Sequence, residues 1–267
     1  LIGSKESLNA IDSTALRLWH AKFYTPPNTL IACCGKIDRR QFVAAAATFF
    51  GSWQGEAPPP FPAAPPSKPG PHQNWVQDSD SQIGLQLAFP MAGRKDPRPL
   101  HFSLLRRLLS WGGSALLPQR LREECGLTYA VEANCSMLAD TGYLAIDLAV
   151  APQNLVVAVA ETLGVLARLG HSFADTAAFE AARTSYTYDV GFALDQPEAM
   201  AVRYGWGLQA KCLRTSAEDE ADIAKIDAAQ IQQLCRELFT RHQLHLVVVG
   251  PWRKEQKHEI DRLIRAF

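Results

Sequence analysis

The chain has no excess of charge of either sign: Lys plus Arg and Asp plus Glu each number 27, giving a formal net charge of zero. That excludes non-specific nucleic-acid binding, which depends on a basic surface. No unbroken apolar run reaches the roughly 18 residues that suggest a membrane span. The most apolar stretch, Leu144 to Ala160, is interrupted by Asp147, Pro152, Gln153 and Asn154. C-x-x-C spacing is also absent from the six cysteines, Cys33, Cys34, Cys125, Cys135, Cys212 and Cys235. Most of them sit in apolar periodic segments, which reads as buried free thiols rather than a disulfide or metal framework.

The signatures of a self-contained active site are missing too. None of the seven histidines begins H-E-x-x-H or its inverse H-x-x-E-H. His242 and His245 form an H-x-x-H with no accompanying carboxylate, crossing from a helix end into a strand. A hydrolytic metal site needs more donors than that. Neither a G-x-S-x-G elbow nor a phosphate-binding glycine loop occurs. Gly112-Gly113 is more economically a helix stop. Taken alone, the chain carries no complete catalytic constellation.

What is present is a globular composition. The 267 residues are 47% hydrophobic and 20% charged, enough for a substantial core in one or two domains. Periodicity predicts helices over Asp12–Tyr24, Asp38–Phe50, Pro99–Trp111, Gln153–Leu169, Ala174–Val190 and Pro197–Ala210. Alternation predicts strands at Thr29–Cys34, Ser81–Phe89, Thr128–Met137 and Gly142–Val150. This order points to an α+β fold, a mainly antiparallel sheet with one face covered by helices. Eight of the 17 prolines fall between Pro58 and Pro71, a stiff connection that cannot hold a core. The division that follows is residues 1–53, a linker at 54–73, and a main domain at 74–267.

The last section of the chain resembles the first. Ile11-Asp12 matches Ile226-Asp227 at an offset of 215 residues. Leu16, Phe23, Tyr24, Thr25, Ile31 and Gly35 then meet Ile231, Leu238, Phe239, Thr240, Leu246 and Gly250 without a gap. Each copy reads as an acidic cap, an amphipathic helix, an aromatic end, a short apolar strand, a glycine and a second helix. The second copy closes a domain, so the first is expected to close one as well. Roughly 150 residues of that first domain are then expected to be absent, leaving a duplicated fold whose first copy is truncated.

The most informative segment runs from Ser114 to Val131. It places Arg122 on the last turn of a helix, Gly126 where that helix would stop, and Tyr129 near the start of a strand. A guanidinium and a phenol held this way suit anchoring and polarising a carbonyl, although neither starts a reaction alone. The competing reading is an exposed helix-end charge and a strand aromatic.

The run Gly112-Gly113-Ser114 … Leu121-Arg122-Glu123-Glu124-Cys125-Gly126-Leu127-Thr128-Tyr129-Ala130-Val131, followed by Asp140-Thr141-Gly142, resembles the C-terminal half of insulinase/pitrilysin-type zinc metallopeptidases. The stretch from Ile2-Gly3-Ser4-Lys5-Glu6 through Tyr24-x-x-Pro27-Asn28 to Gly35 is similar to the end of that family's N-terminal half. The resemblance implies two homologous α+β domains facing each other across a chamber. The first would hold zinc through H-x-x-E-H and a downstream glutamate. The second would contribute Arg122 and Tyr129 to peptide substrates. None of the zinc ligands lies in this chain, so the fragment alone is expected to be inactive. Zinc would then come with the missing N-terminal domain or with a zinc-bearing partner subunit. A non-catalytic structural subunit of the same family is the alternative, and a peptide-binding module without catalysis is the third. The compartment is left open by the sequence; a soluble bacterial protein is expected, with the periplasm slightly preferred to the cytoplasm.

Overall fold

The computed structural model describes residues 3–172 and 176–267. In chain order its helices and strands are α1 (Lys5–Asn9), α2 (Ser13–Phe23), α3 (Arg39–Phe50), β1 (His72–Gln77), β2 (Ile83–Met91) and α4 (Pro99–Ser110). Next come β3 (Val131–Met137), β4 (Gly142–Val150), α5 (Leu155–His171), α6 (Thr176–Leu194) and α7 (Pro197–Gln209). The chain closes with α8 (Ser216–Ile223), α9 (Ala228–Leu238), β5 (His245–Gly250) and α10 (Lys254–Ala266). Two compact units result: Leu1–Ala63 with Ala193–Arg214, and Ala64–Phe192 with Thr215–Phe267. The helix expected from Ala174 starts on residues outside those described; its described part begins at Thr176.

The larger unit is built on a five-stranded sheet of order β1-β5-β2-β4-β3. Every pairing is antiparallel except β1 with β5. Strand alternation sends Ile83, Leu85, Leu87, Phe89 and Met91 to the buried face of β2. Leu144, Ile146, Leu148 and Val150 of β4 and Leu246 and Val248 of β5 share that core. Helices α4, α5, α9 and α10 supply its other wall through Phe102, Leu105, Leu109, Leu155, Val159, Leu166, Ile231, Leu234, Ile260 and Ile264. This is the expected α+β arrangement, with a mainly antiparallel sheet helix-covered on one face. Strand β1 falls at the edge of the proline-rich stretch, where periodicity gives no strand signal. No single helix among the described residues is long and apolar enough to cross a membrane.

In each unit the repeat holds at the level of backbone geometry. Helices α2 and α9 are each 11 residues long and start on an aspartate cap, Asp12 and Asp227, whose side chain accepts from the backbone three residues on. Each is followed by a 3₁₀ turn, Pro26–Asn28 and Arg241–Gln243, in equivalent positions. Gly35 and Gly250 both carry the positive φ that favours glycine, +130° and +139°. The succeeding helices, α3 and α10, begin at Arg39 and Lys254, again 215 residues apart.

Burial separates the two copies. In the second, Ile231, Leu234, Leu238 and Leu246 are core residues. In the first, α1, α2 and α3 bury no residue, and Leu16, Trp19, Tyr24 and Ile31 are exposed. Residues 29–34, expected as a strand, form no ladder, whereas β5 is hydrogen-bonded on both sides by β1 and β2. A strand exists only against a neighbour, and among the described residues no strand pairs with residues 29–34. The six thiols are all free, as expected, but burial holds only for Cys235, with Cys125 and Cys135 partly covered. Cys33, Cys34 and Cys212 are exposed, all three in the unit whose first-copy faces lack cover. Burial pushes the Cys235 thiol up to about 12 and the Cys135 thiol up to about 11, so both stay inert thiols.

Candidate functional site

The uncovered face of the sheet is where the larger unit presents chemistry. One row crosses all five strands in register: Asn74 opposite Val247, Val247 opposite Gln86, Gln86 opposite Asp147, and Asp147 opposite Glu132. The Gln86 amide donates to Asp147 Oδ1 at 2.6 Å. Beside this row lie Gly84, Ala149 and Val249, also in register. Together with Tyr129, Thr128 and Ala130 they enclose an open hollow of about 590 Å³. Its floor is small and apolar, and its rim carries the carboxylates of Glu132 and Asp147 with no basic side chain among the lining residues.

Tyr129 stands at this hollow, 91% exposed, two residues ahead of β3 rather than inside the strand. Arg122 lies on a π-helix, Pro118–Glu124, whose widened turn is seen where the Cys125 amide reaches Arg120 O at 3.2 Å. Single π turns of this sort recur at functional sites because they re-aim side chains. The helix closes with Gly126 at φ +61°; its amide donates to Arg122 O at 3.1 Å and that of Leu127 to Leu121 O at 2.8 Å. This is a Schellman-like stop widened by one residue, and it turns the chain towards the sheet. The Arg122 Nε donates to its neighbour Glu123 at 2.8 Å. Both side chains of that pair are well exposed, so solvent screens it. Arg122 does not line the hollow, and no hydrogen bond joins it to Tyr129. Of the pair, Tyr129 alone is thus placed at the hollow.

An ion-pair clamp fastens the π-helix to α5. Arg120 donates to Glu161 through Nε and to Glu124 through NH1, each at 2.7 Å. The hydrogen bond from Arg120 holds the Glu161 carboxyl below its ordinary value. A carboxylate depressed in the folded state stabilises fully above its unfolded value of about 4.3, and that contribution is lost as pH falls through the folded value. Glu161→Gln is therefore expected to lower the urea midpoint slightly at pH 7, with the difference from wild type shrinking steadily as the pH falls below about 4.3. A difference that does not shrink with falling pH would show that the charge is not the cause.

The residues present do not suit a zinc ion. Among the described residues no group of three or more His, Cys, Asp or Glu side chains converges on one point. His72 and His245 come together across β1 and β5 with ring centroids 4.7 Å apart, but a pair falls short of the three or four ligands that zinc takes. Burial, followed by the charge of His72, lowers the His245 value, favouring its neutral form. No histidine, serine or cysteine is among the residues lining the hollow.

Of these residues, reasoning from the sequence had picked out Arg122 and Tyr129. Gln86, Glu132, Asp147 and Thr128 escaped notice. The available signal was the polar phase of each strand, where Gly84 and Gln86 alternate with the core residues of β2.

Comparison with known proteins agrees with this architecture. Residues 10–186 match the family described as the peptidase M16 inactive domain. An uncharacterized zinc protease of Mycobacterium leprae is 25% identical over 271 residues, covering 100% of this chain and 60% of that protein. The peptidase M16 inactive domain structure from Pseudomonas fluorescens superposes with a TM-score of 0.81 at 21% identity, over 93% of this chain and 60% of that one. A chain of complex III2 from Candida albicans, with Inz-5 bound, gives a TM-score of 0.79 at 14% identity, over 99% of this chain and 64% of its own. This chain thus spans about 60% of the length of the curated relatives that it matches end to end. With two thirds of its residues inside the matched region and the expected helix-backed sheet, the chain belongs to the peptidase M16 inactive-domain family.

Proposed function

We propose that this chain is the substrate-contacting second half of a zinc endopeptidase, with Tyr129 and Arg122 acting on peptides whose cleavage requires zinc held by other residues. One observation carries the reading: a phenol almost fully exposed at the mouth of a hollow on the helix-free face of the sheet. Buried or merely structural tyrosines pack their rings, and this one does not. The phenol donates to the oxygen on which negative charge develops as a peptide carbonyl becomes tetrahedral. The Arg122 guanidinium, held only by a screened neighbouring carboxylate, is available to a peptide carbonyl or chain-terminal carboxylate. The zinc protease names of the relatives support the same reaction class.

On this reading residues 1–53 are the tail of a first homologous domain, 54–73 the linker and 74–267 the second domain. The support is the exposed first copy, in which Leu16, Trp19, Ile31 and Phe49 stand at the positions of the core residues Ile231, Leu234, Leu246 and Ile264 of the second. Their natural cover is a homologous sheet, supplied by the protein's own first domain or by a zinc-bearing partner subunit. The family description, an inactive domain, is compatible with a second reading, a non-catalytic partner or structural subunit.

The two readings part when the chain is mixed with a homologous domain carrying H-x-x-E-H. Alone, the chain is expected to bind no stoichiometric zinc by equilibrium dialysis and to cleave no peptide. Paired, it is expected to support cleavage of an unstructured peptide. A stoichiometric zinc ion on the chain alone would sink the division of labour. Assembly without any cleavage would favour the structural subunit.

A further inference from the structure

Ahead of Tyr129 the amides of Gly126 and Leu127 still belong to the helix stop, and Thr128 is tied down through its side chain. Its side chain is buried, and its hydroxyl oxygen lies 2.9 Å from Ala130 O and 2.8 Å from Ala149 O. A hydroxyl has one proton, so the two carbonyls share it in a three-centre bond.

The location of this bond gives it consequence. The β3–β4 ladder ends at Val131 opposite Leu148. One step further along, Ala130 would face Ala149, but the backbone pairing has stopped. The Thr128 hydroxyl takes over there, reaching the carbonyls of both facing residues and stitching the incoming chain to β4. Tyr129 sits inside that stitch. The residue before it is buried and hydrogen-bonded, and the carbonyl of the residue after it is one of the two acceptors. Its ring, by contrast, touches nothing that fixes it, being 91% exposed. The position of the phenol relative to the sheet face is therefore set by the backbone at 128–130, and Thr128 sets that backbone.

We infer that Thr128 is a positioning residue for Tyr129, holding the phenol over the hollow where a peptide carbonyl is to be polarised. The inference rests on the assignment of Tyr129 to transition-state stabilisation. Misplacing a polarising group by about an ångström costs far more in turnover than in binding, up to about 100-fold.

The test uses the assembled zinc-bearing peptidase and four variants assayed on one unstructured peptide: Thr128→Val, Thr128→Ser, Tyr129→Phe and the Thr128→Val/Tyr129→Phe double. Valine keeps the shape and removes the proton, and is expected to lower kcat about ten-fold or more at little changed KM. Serine keeps the proton and is expected to stay within about three-fold of wild type. In the Tyr129→Phe background the valine substitution is expected to cost nothing further, because there is no phenol left to position. Equal losses from Thr128→Val with and without Tyr129, or failure of serine to restore turnover, would overturn the inference. Full activity of Tyr129→Phe would instead remove the assignment on which it rests, and that arm reports independently. If valine prevents folding, judged by circular dichroism, Thr128→Ala takes its place with the same expectations.

Discussion

Replacing Tyr129 by phenylalanine in the assembled peptidase is expected to lower kcat by about 100-fold with KM nearly unchanged. The magnitude follows from the loss of one donor to a developing oxyanion, about 3 kcal/mol in sites from which water is excluded. The split between kcat and KM follows from timing. On the proposed role the phenol would meet a weakly charged carbonyl in the ground state and a full negative charge only later, so its loss would fall on the chemical step. Stability is expected to be unaffected, because the hydroxyl makes no hydrogen bond to the protein among the described residues and the ring is exposed. Unchanged kcat under conditions where chemistry limits turnover would remove Tyr129 from the reaction.

The second large effect concerns the repeat, and its interest lies in contrast. Leu234 and Trp19 are equivalent positions 215 residues apart, on α9 and α2. Leu234 is 1% exposed and Trp19 63% exposed. Leu234→Ala is expected to destabilise the chain by about 3 kcal/mol, since it opens a cavity among side chains that cannot fully collapse. Trp19→Ala deletes a larger side chain, yet is expected to cost less than about 1 kcal/mol, chiefly its tilted ring contact with Phe23. Urea unfolding followed by circular dichroism reads both. Once a homologous domain is bound, the Trp19 substitution should become costly and weaken the assembly. If Trp19→Ala destabilised the lone chain as much as Leu234→Ala, the uncovered-copy account would fail.

Much of the fold was legible in the residues. The period-2 pattern of Ile83, Leu85, Leu87 and Phe89 and the 3.6-period pattern of α4 and α5 are written by near neighbours, so they survive without knowledge of what lies across the core. The repeat was legible for the same reason, down to the cap aspartates and the positive-φ glycines. Strand β1 was not, because an edge strand with only half-buried faces needs no strong alternation. The strand expected at residues 29–34 is absent for the converse reason: its apolar run is adequate, but no second strand hydrogen-bonds to it.

The site divides along the same line. Arg122, Gly126 and Tyr129 are close in sequence, and a helix stop followed by a turn is a local event. The hollow is assembled from β2, β3, β4 and β5, whose residues come together only through register. Nothing in the spacing of Gln86, Glu132 and Asp147 announces that they form one row, and nothing near Thr128 announces that its hydroxyl meets Ala149. By itself the sequence determined most of the elements, the internal repeat, the lack of a zinc motif within this chain and the choice of Arg122 and Tyr129 as candidates. The tertiary structure alone decided which copy is covered, which thiols are exposed and what surrounds the phenol. Those outcomes depend on hydrogen-bond partners and apolar cover from distant parts of the chain, which local patterns do not encode.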